Sequence, residues 1–142
     1  MAKVVYNSKL AKVLLYFSNY HTITLLWWVF TELSEGELTE TVKRHKGVHV
    51  AQFEHLACVG CIVYIICIVA WWLPLVWALP LLLLFYVWYM VEWLVRVIVY
   101  ACRGYENICY LAYADLSFEC EARAWQDKED IDVGVFDFLR YY

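Results

Sequence analysis

The chain has 142 residues, a net charge of −4 and a hydrophobic fraction of 64%, well above the roughly 45–50% of soluble domains. This length and composition exclude a large multidomain enzyme and favour one compact unit associated with a lipid bilayer. Because no basic patch is present, a nucleic-acid-binding function is excluded as well.

The apolar residues are concentrated in residues 56–102, where only Glu92 and Arg96 are charged. Residues 56–73 and about 79–102 are each long enough to cross a bilayer as a helix. Pro74 and a cluster of tryptophans between them predict a tight turn at the membrane interface. We therefore expect a mainly α membrane protein with a two-span helical hairpin and a small α region with a short β strand on one side.

Three parts are predicted along the chain. Residues 1–38 contain an amphipathic segment (3–17) and a short β-branched, aromatic strand at 22–31, for which bilayer insertion is the alternative. Residues 39–102 form a long helix that continues into the membrane hairpin. Residues 103–142 contain a connecting piece, a helix over 117–129 and an aromatic tail that packs back or lies at the interface.

The start of the long helix has local signals. Ser34 and Glu37 fit a capping box, and Thr39 is a second candidate for the N-cap. From there the sequence predicts a single helix over residues 39–72.

Two histidines on this helix have the spacing of a metal site. His45 and His49 are four residues apart, so on a helix they share one face, as the histidines of a helix-borne zinc site do. A third ligand must then come from elsewhere, and Glu119 in the predicted helix over 117–129 is suitably placed. A membrane hairpin returns the chain to its starting side, so both helices would lie in the same compartment.

These motifs, in this order, resemble a family of small integral-membrane, zincin-related metallopeptidase-like proteins of Bacteroides-type bacteria and their phages. The resemblance covers about residues 20–142 and includes a His-x-x-x-His-x-x-Gln helix and a later Phe-Glu-x-Glu-Ala motif. It implies a zinc cofactor with His45, His49 and Glu119 as ligands. We expect Gln52 to be a polar contact near the site rather than a ligand. The matching residues are His45, His49, Gln52, Phe118, Glu119, Glu121 and Ala122.

The chain departs from that family at the position that matters most for catalysis. Lys46 stands where the family has its catalytic Glu, and Arg123 stands where the wider peptidases have Asp. Peptide hydrolysis needs a carboxylate to take the proton of the metal-bound water, and a charged lysine cannot do so. Glu40 and Glu54 are the nearest carboxylates on the helix, and neither is an obvious substitute.

Three functions remain open from the sequence. The first is a catalytically impaired metallopeptidase relative that still binds zinc. The second is a non-enzymatic membrane scaffold or interaction protein with an incidental histidine pair and a protein or peptide partner that the sequence does not identify. The third is an active membrane metallohydrolase that uses another base.

The charges around the spans bear on position in the membrane. Glu92 and Arg96 are four apart and should pair on one helix face, either as a functional pair within the span or as an ion pair near the interface. Basic residues at 43, 44 and 46 precede the first span and Arg103 follows the second. This pattern favours both termini in the cytoplasm, and the resemblance implies that the membrane is a bacterial inner membrane.

Overall fold

The computed structural model is mainly helical, which confirms the predicted fold class at that level. It describes residues 3–16, 20–128, 130 and 132–142. Phe17 and Glu129, at the ends of two predicted segments, lie outside this part of the chain. Two compact units divide the protein: an N-terminal unit of residues 1–51 and 122–133, and a hairpin unit of residues 52–121 and 134–142.

Among its described residues, the N-terminal unit contains a three-stranded sheet, a short helix and the end segments of two further helices described below. Its elements are β1 (Lys3–Val5), α1 (Lys9–Leu14), β2 (Thr22–Leu25) and β3 (Trp28–Thr31). Strand β3 is central and pairs parallel with β1 and antiparallel with β2. A small buried hydrophobic cluster in this unit consists of Val48, Ala122 and Val133.

The single strand predicted over residues 22–31 is wrong in detail, because the segment forms a β-hairpin. Leu26 adopts a left-handed conformation with φ of 55° at the turn between the two strands. No Asn or Gly marks this turn, which is the usual sequence signal for such a hairpin. Thr22 pairs with Thr31 at the open end, where their hydroxyl oxygens are 3.1 Å apart.

The long helix is confirmed almost to the residue. Helix α2 spans Glu40–Trp71, and the Thr39 hydroxyl accepts a hydrogen bond from the Val42 N–H at 3.4 Å as its N-cap. The Glu37 carboxylate accepts hydrogen bonds from the backbone and hydroxyl of Ser34, which lowers the pKa of Glu37. That pair therefore closes the turn before α2 instead of starting the helix.

The hairpin follows the end of α2. Trp72 has a φ of 52°, and after a short 3₁₀ turn the chain forms α3 (Ala78–Leu82) and α4 (Leu84–Cys102). Helices α2 and α4 are both long and apolar enough to cross a membrane. At Gly60 of α2, an added Cβ would collide with the backbone carbonyl of Leu81, so only glycine permits this close approach.

Two further α-helices and a 3₁₀ helix (Asp137–Tyr141) follow in the described part of the chain. The predicted connecting piece contains α5 (Ile108–Ala114), and α6 (Ser117–Trp125) is shorter than the predicted helix over 117–129. Helix α6 ends in a turn in which the Lys128 N–H donates to the Trp125 carbonyl at 3.1 Å. The Lys128 ammonium also lies 3.6 Å from the centre of the Trp125 ring, and this contact favours the turn over another helical turn.

The core of the hairpin unit is aromatic. Phe53, Phe85 and Phe118 are buried, and the rings of Phe85 and Phe118 lie 5.0 Å apart. The C-terminal tail returns to this core, because the buried ring of Phe138 stacks on Phe118 at 4.3 Å. At Phe138, the predicted aromatic tail therefore packs back onto the protein.

Candidate metal centre

The two predicted histidine ligands meet on one face of α2. The ring centroids of His45 and His49 are 4.9 Å apart, with the ring planes 84° to one another. His49 is only 4% exposed, and His45 is half-buried. The burial takes the inner imidazole away from water, where a solvated helix face would leave it exposed.

The predicted third ligand, Glu119, is a buried carboxylate with a defined partner. It is 3% exposed and lies in the first turn of α6. The Tyr89 hydroxyl on α4 donates a hydrogen bond to Glu119 Oε1 at 2.9 Å. A hydrogen bond of this kind holds a carboxylate in one orientation, as the outer partners of metal ligands do.

His45, His49 and Glu119 form a group that could hold a metal ion. One ligand atom from each side chain can be chosen so that all three lie within 4.8 Å of one another. Around a tetrahedral zinc with bonds of about 2.0–2.1 Å, ligand atoms are roughly 3.3 Å apart. The three ligand atoms thus lie close enough together for the group to be a candidate metal site.

The donor set selects among metals. Two imidazole nitrogens and one carboxylate oxygen are the protein ligands of many zinc sites that keep a fourth position open. Calcium and magnesium prefer sites built from oxygen ligands alone. The group thus suits zinc or a similar transition metal.

The start of α6 is anchored by Glu92, which is 4% exposed. Its carboxylate accepts hydrogen bonds from the backbone and hydroxyl of Ser117, at 2.8 and 2.6 Å. It also accepts from the guanidinium of Arg96, at 2.8 and 3.0 Å, so the predicted pair is present. Because Glu119 lies two residues after Ser117, this anchor also fixes the helix that carries Glu119.

Gln52 makes two buried side-chain contacts. Its side-chain amide donates to the Phe118 carbonyl at 3.1 Å and to Glu121 Oε2 at 2.7 Å. Both Gln52 and Glu121 are buried, and burial raises the pKa of the Glu121 carboxyl. Among the described residues, the other oxygen of Glu121 has no hydrogen-bond partner.

The candidate general bases on α2 are unfavourably placed for catalysis. Lys46 is half-buried beside His45, whereas Glu54 is exposed. Glu40 is exposed too and forms an ion pair with Lys43 at 2.8 Å. Neither Glu40 nor Glu54 belongs to the three-residue group.

Sequence reasoning missed Tyr89 and Ser117. Tyr89 lies three residues before Glu92 and seven before Arg96, a spacing that places all three on one face of α4. This row of polar side chains on an apolar helix is the sequence pattern that could have indicated a role for Tyr89. The contact of Ser117 with Glu92 joins residues 25 positions apart, and no local pattern predicts it.

No family model, curated protein or solved structure matches this chain.

Proposed function

We propose that this protein is a zincin-like membrane protein that binds zinc through His45, His49 and Glu119 and has lost peptidase activity. The observation that carries the proposal is the grouping of these three side chains within 4.8 Å. The burial of His49 and Glu119 and the hydrogen bond from Tyr89 support it. In this proposal α2 and α4 cross the bilayer and both termini lie in the cytoplasm.

The loss of activity follows from Lys46. Zinc in an open site lowers the pKa of a bound water and polarises a substrate carbonyl. A neighbouring carboxylate must still take the proton and pass it to the leaving amine. The ammonium of Lys46 cannot accept a proton, and its charge opposes a second cation nearby. The site therefore keeps ligands for the metal and lacks the group that would use it.

The metal content of the purified protein tests the binding. We expect about one zinc per chain in the native protein and near-complete loss in His49→Ala and Glu119→Gln after dialysis against a weak chelator. His55→Ala is the control, because His55 is another histidine of α2, half-buried, and is not in the group. Zinc retained in both ligand variants, or lost equally in His55→Ala, would contradict the proposal.

A second experiment tests whether the absence of a carboxylate at position 46 accounts for the loss of peptide hydrolysis. Lys46→Glu should gain hydrolysis of an unfolded protein substrate such as casein, because it supplies the missing carboxylate, while Lys46→Gln should remain inactive. The native chain should show no more hydrolysis than His49→Ala. Activity of the native chain that Glu119→Ala abolishes would instead identify an enzyme with another base. A native chain without zinc would favour the non-enzymatic scaffold.

A further inference from the structure

A groove with a volume of ≈ 650 Å³ runs along one face of α4 in the hairpin unit. This volume lies within the roughly 300–1,000 Å³ of small-molecule sites. Every lining residue comes from α4 or the loop residue that follows it, except the C-terminal Tyr142. The Trp88 indole donates a hydrogen bond to the Tyr142 hydroxyl at 2.7 Å, which holds that tyrosine against the groove.

The groove is apolar along its length and cationic at one end. Val91, Val95 and Val99 line the middle. Among the lining residues, Glu92 and Arg96 neutralise one another as an ion pair. Arg103, at the end of α4, is exposed and has no ion-pair partner within the described part of the chain. The lining therefore has one unneutralised positive charge, located beyond its apolar wall.

The dimensions match half a bilayer. Val91 and Arg103 are 12 residues apart on a largely helical path, which corresponds to about 18 Å. One leaflet contributes roughly 15 Å to a hydrocarbon core that is about 30 Å thick. An acyl chain that lies along the valines would thus place its headgroup next to Arg103. Tyr100, also in the lining, lies near that end, where tyrosines favour the membrane interface.

We propose that this groove binds a bilayer phospholipid with a net negative headgroup, with its phosphate at Arg103 and one acyl chain along Val91, Val95 and Val99. The charge and the length of the groove both select this occupant. A neutral apolar partner would leave the positive charge of Arg103 without a counter-charge. The inference rests on the membrane insertion of α4 that is part of the proposed function, and it is independent of the metal site.

Lipid titration of the full chain tests the proposal. Delipidated protein in detergent micelles is titrated with dioleoylphosphatidylglycerol or dioleoylphosphatidylcholine, and bound lipid is counted by native mass spectrometry. We expect a dissociation constant about fivefold lower for the anionic lipid. Arg103→Gln should abolish that preference and Arg103→Lys should retain it. Arg140→Gln, which changes an exposed arginine outside the groove, should leave it unchanged.

A second pair of variants tests the apolar wall. Val95→Trp fills the groove and should weaken the binding of both lipids, whereas Val69→Trp, at an exposed position of α2, should not. Circular dichroism and zinc content, measured on the same samples, separate a loss of lipid binding from a loss of fold or of the metal site. Equal binding of both lipids, unaffected by Arg103→Gln and Val95→Trp, would overturn the proposal. So would a dimer that Val95→Trp dissociates while lipid binding stays unchanged.

Discussion

The contact between α4 and α6 and the apex of the hairpin, residues 71–83, lie in the same unit but are stabilised in opposite ways. At the contact, Glu92 and Glu119 are buried carboxylates, and each accepts hydrogen bonds from a named donor. At the apex, Trp72 is 91% exposed and Leu75 is 80% exposed. Directional hydrogen bonds thus hold α6 in place, whereas the apex exposes apolar side chains, as the proposed membrane insertion would require.

The comparison explains where the candidate metal site is found. A metal ligand must be held within a few tenths of an ångström, and buried, hydrogen-bonded carboxylates provide that precision. Exposed apolar side chains in a bilayer have no directional partner, since lipid tails are as apolar as leucine. In the proposed function, the polar region therefore carries the metal site and the apolar region places the protein in the bilayer.

The largest expected effect comes from removing the anchor of α6. Glu92→Ala leaves the Arg96 guanidinium and the Ser117 donors without their acceptor, and should lower the free energy of unfolding by about 3 kcal/mol. Denaturant titration in detergent, followed by circular dichroism, measures this. Glu54→Ala, at an exposed site on α2, should change it by less than about 0.5 kcal/mol. Equal effects of the two variants would show that Glu92 is not an anchor.

A charge in the apolar half of α2 tests the other side of the comparison. Ile65→Asp should oppose membrane insertion by roughly 2.5–3.5 kcal/mol if that residue faces lipid. Resistance to extraction with alkaline carbonate measures insertion. Val13→Asp in α1 is the matched control, since Val13 is 73% exposed and Ile65 is 61% exposed. Membrane retention that is equal in the two variants would contradict the placement of α2 in the bilayer.

A smaller effect is expected where α2 and α3 touch. Alanine is favoured over glycine within helices by about 1 kcal/mol, but Gly60→Ala places a methyl group against the Leu81 carbonyl. Because a backbone carbonyl cannot rotate away, the steric clash should outweigh the helix propensity of alanine and destabilise the protein by about 1–3 kcal/mol. Thermal unfolding measures this. Gly36→Ala, where an added Cβ meets no atom within 4 Å, should be nearly neutral, and a stabilising Gly60→Ala would refute the close approach.

A change at Tyr89 should have the smallest effect on stability but a measurable effect on the affinity for zinc. Tyr89→Phe keeps the ring and removes the hydroxyl that orients Glu119, so zinc should bind about tenfold more weakly. Competition with a fluorescent chelator measures the affinity. Tyr86→Phe, one turn earlier on α4, is the control and should not alter it. An unchanged affinity in Tyr89→Phe would show that the hydroxyl does not position the carboxylate.

Much of the fold was predictable because its signals are local. The Thr39 cap and Pro74 limit α2 to within a residue or two of the predicted ends. The turn at Leu26 was missed because neither of its residues is one that usually adopts a left-handed conformation.

The site was only partly predictable for a related reason. The spacing of His45 and His49 is helical, and hence visible in the sequence. The hydrogen bonds of Glu92 with Ser117 and of Gln52 with Glu121 join residues 25 and 69 positions apart. Such contacts depend on how helices pack, and no periodic pattern encodes them.

X-ray absorption at the zinc edge of the purified protein tests most directly whether His45, His49 and Glu119 bind zinc. We expect a first coordination shell of nitrogen and oxygen atoms at about 2.0–2.1 Å from the zinc, with the signature of two imidazoles. In His49→Ala this shell should be lost. The six cysteines, none of which forms a disulfide, are the competing ligands. A shell of sulfur atoms at about 2.3 Å, unchanged in His49→Ala, would contradict the account.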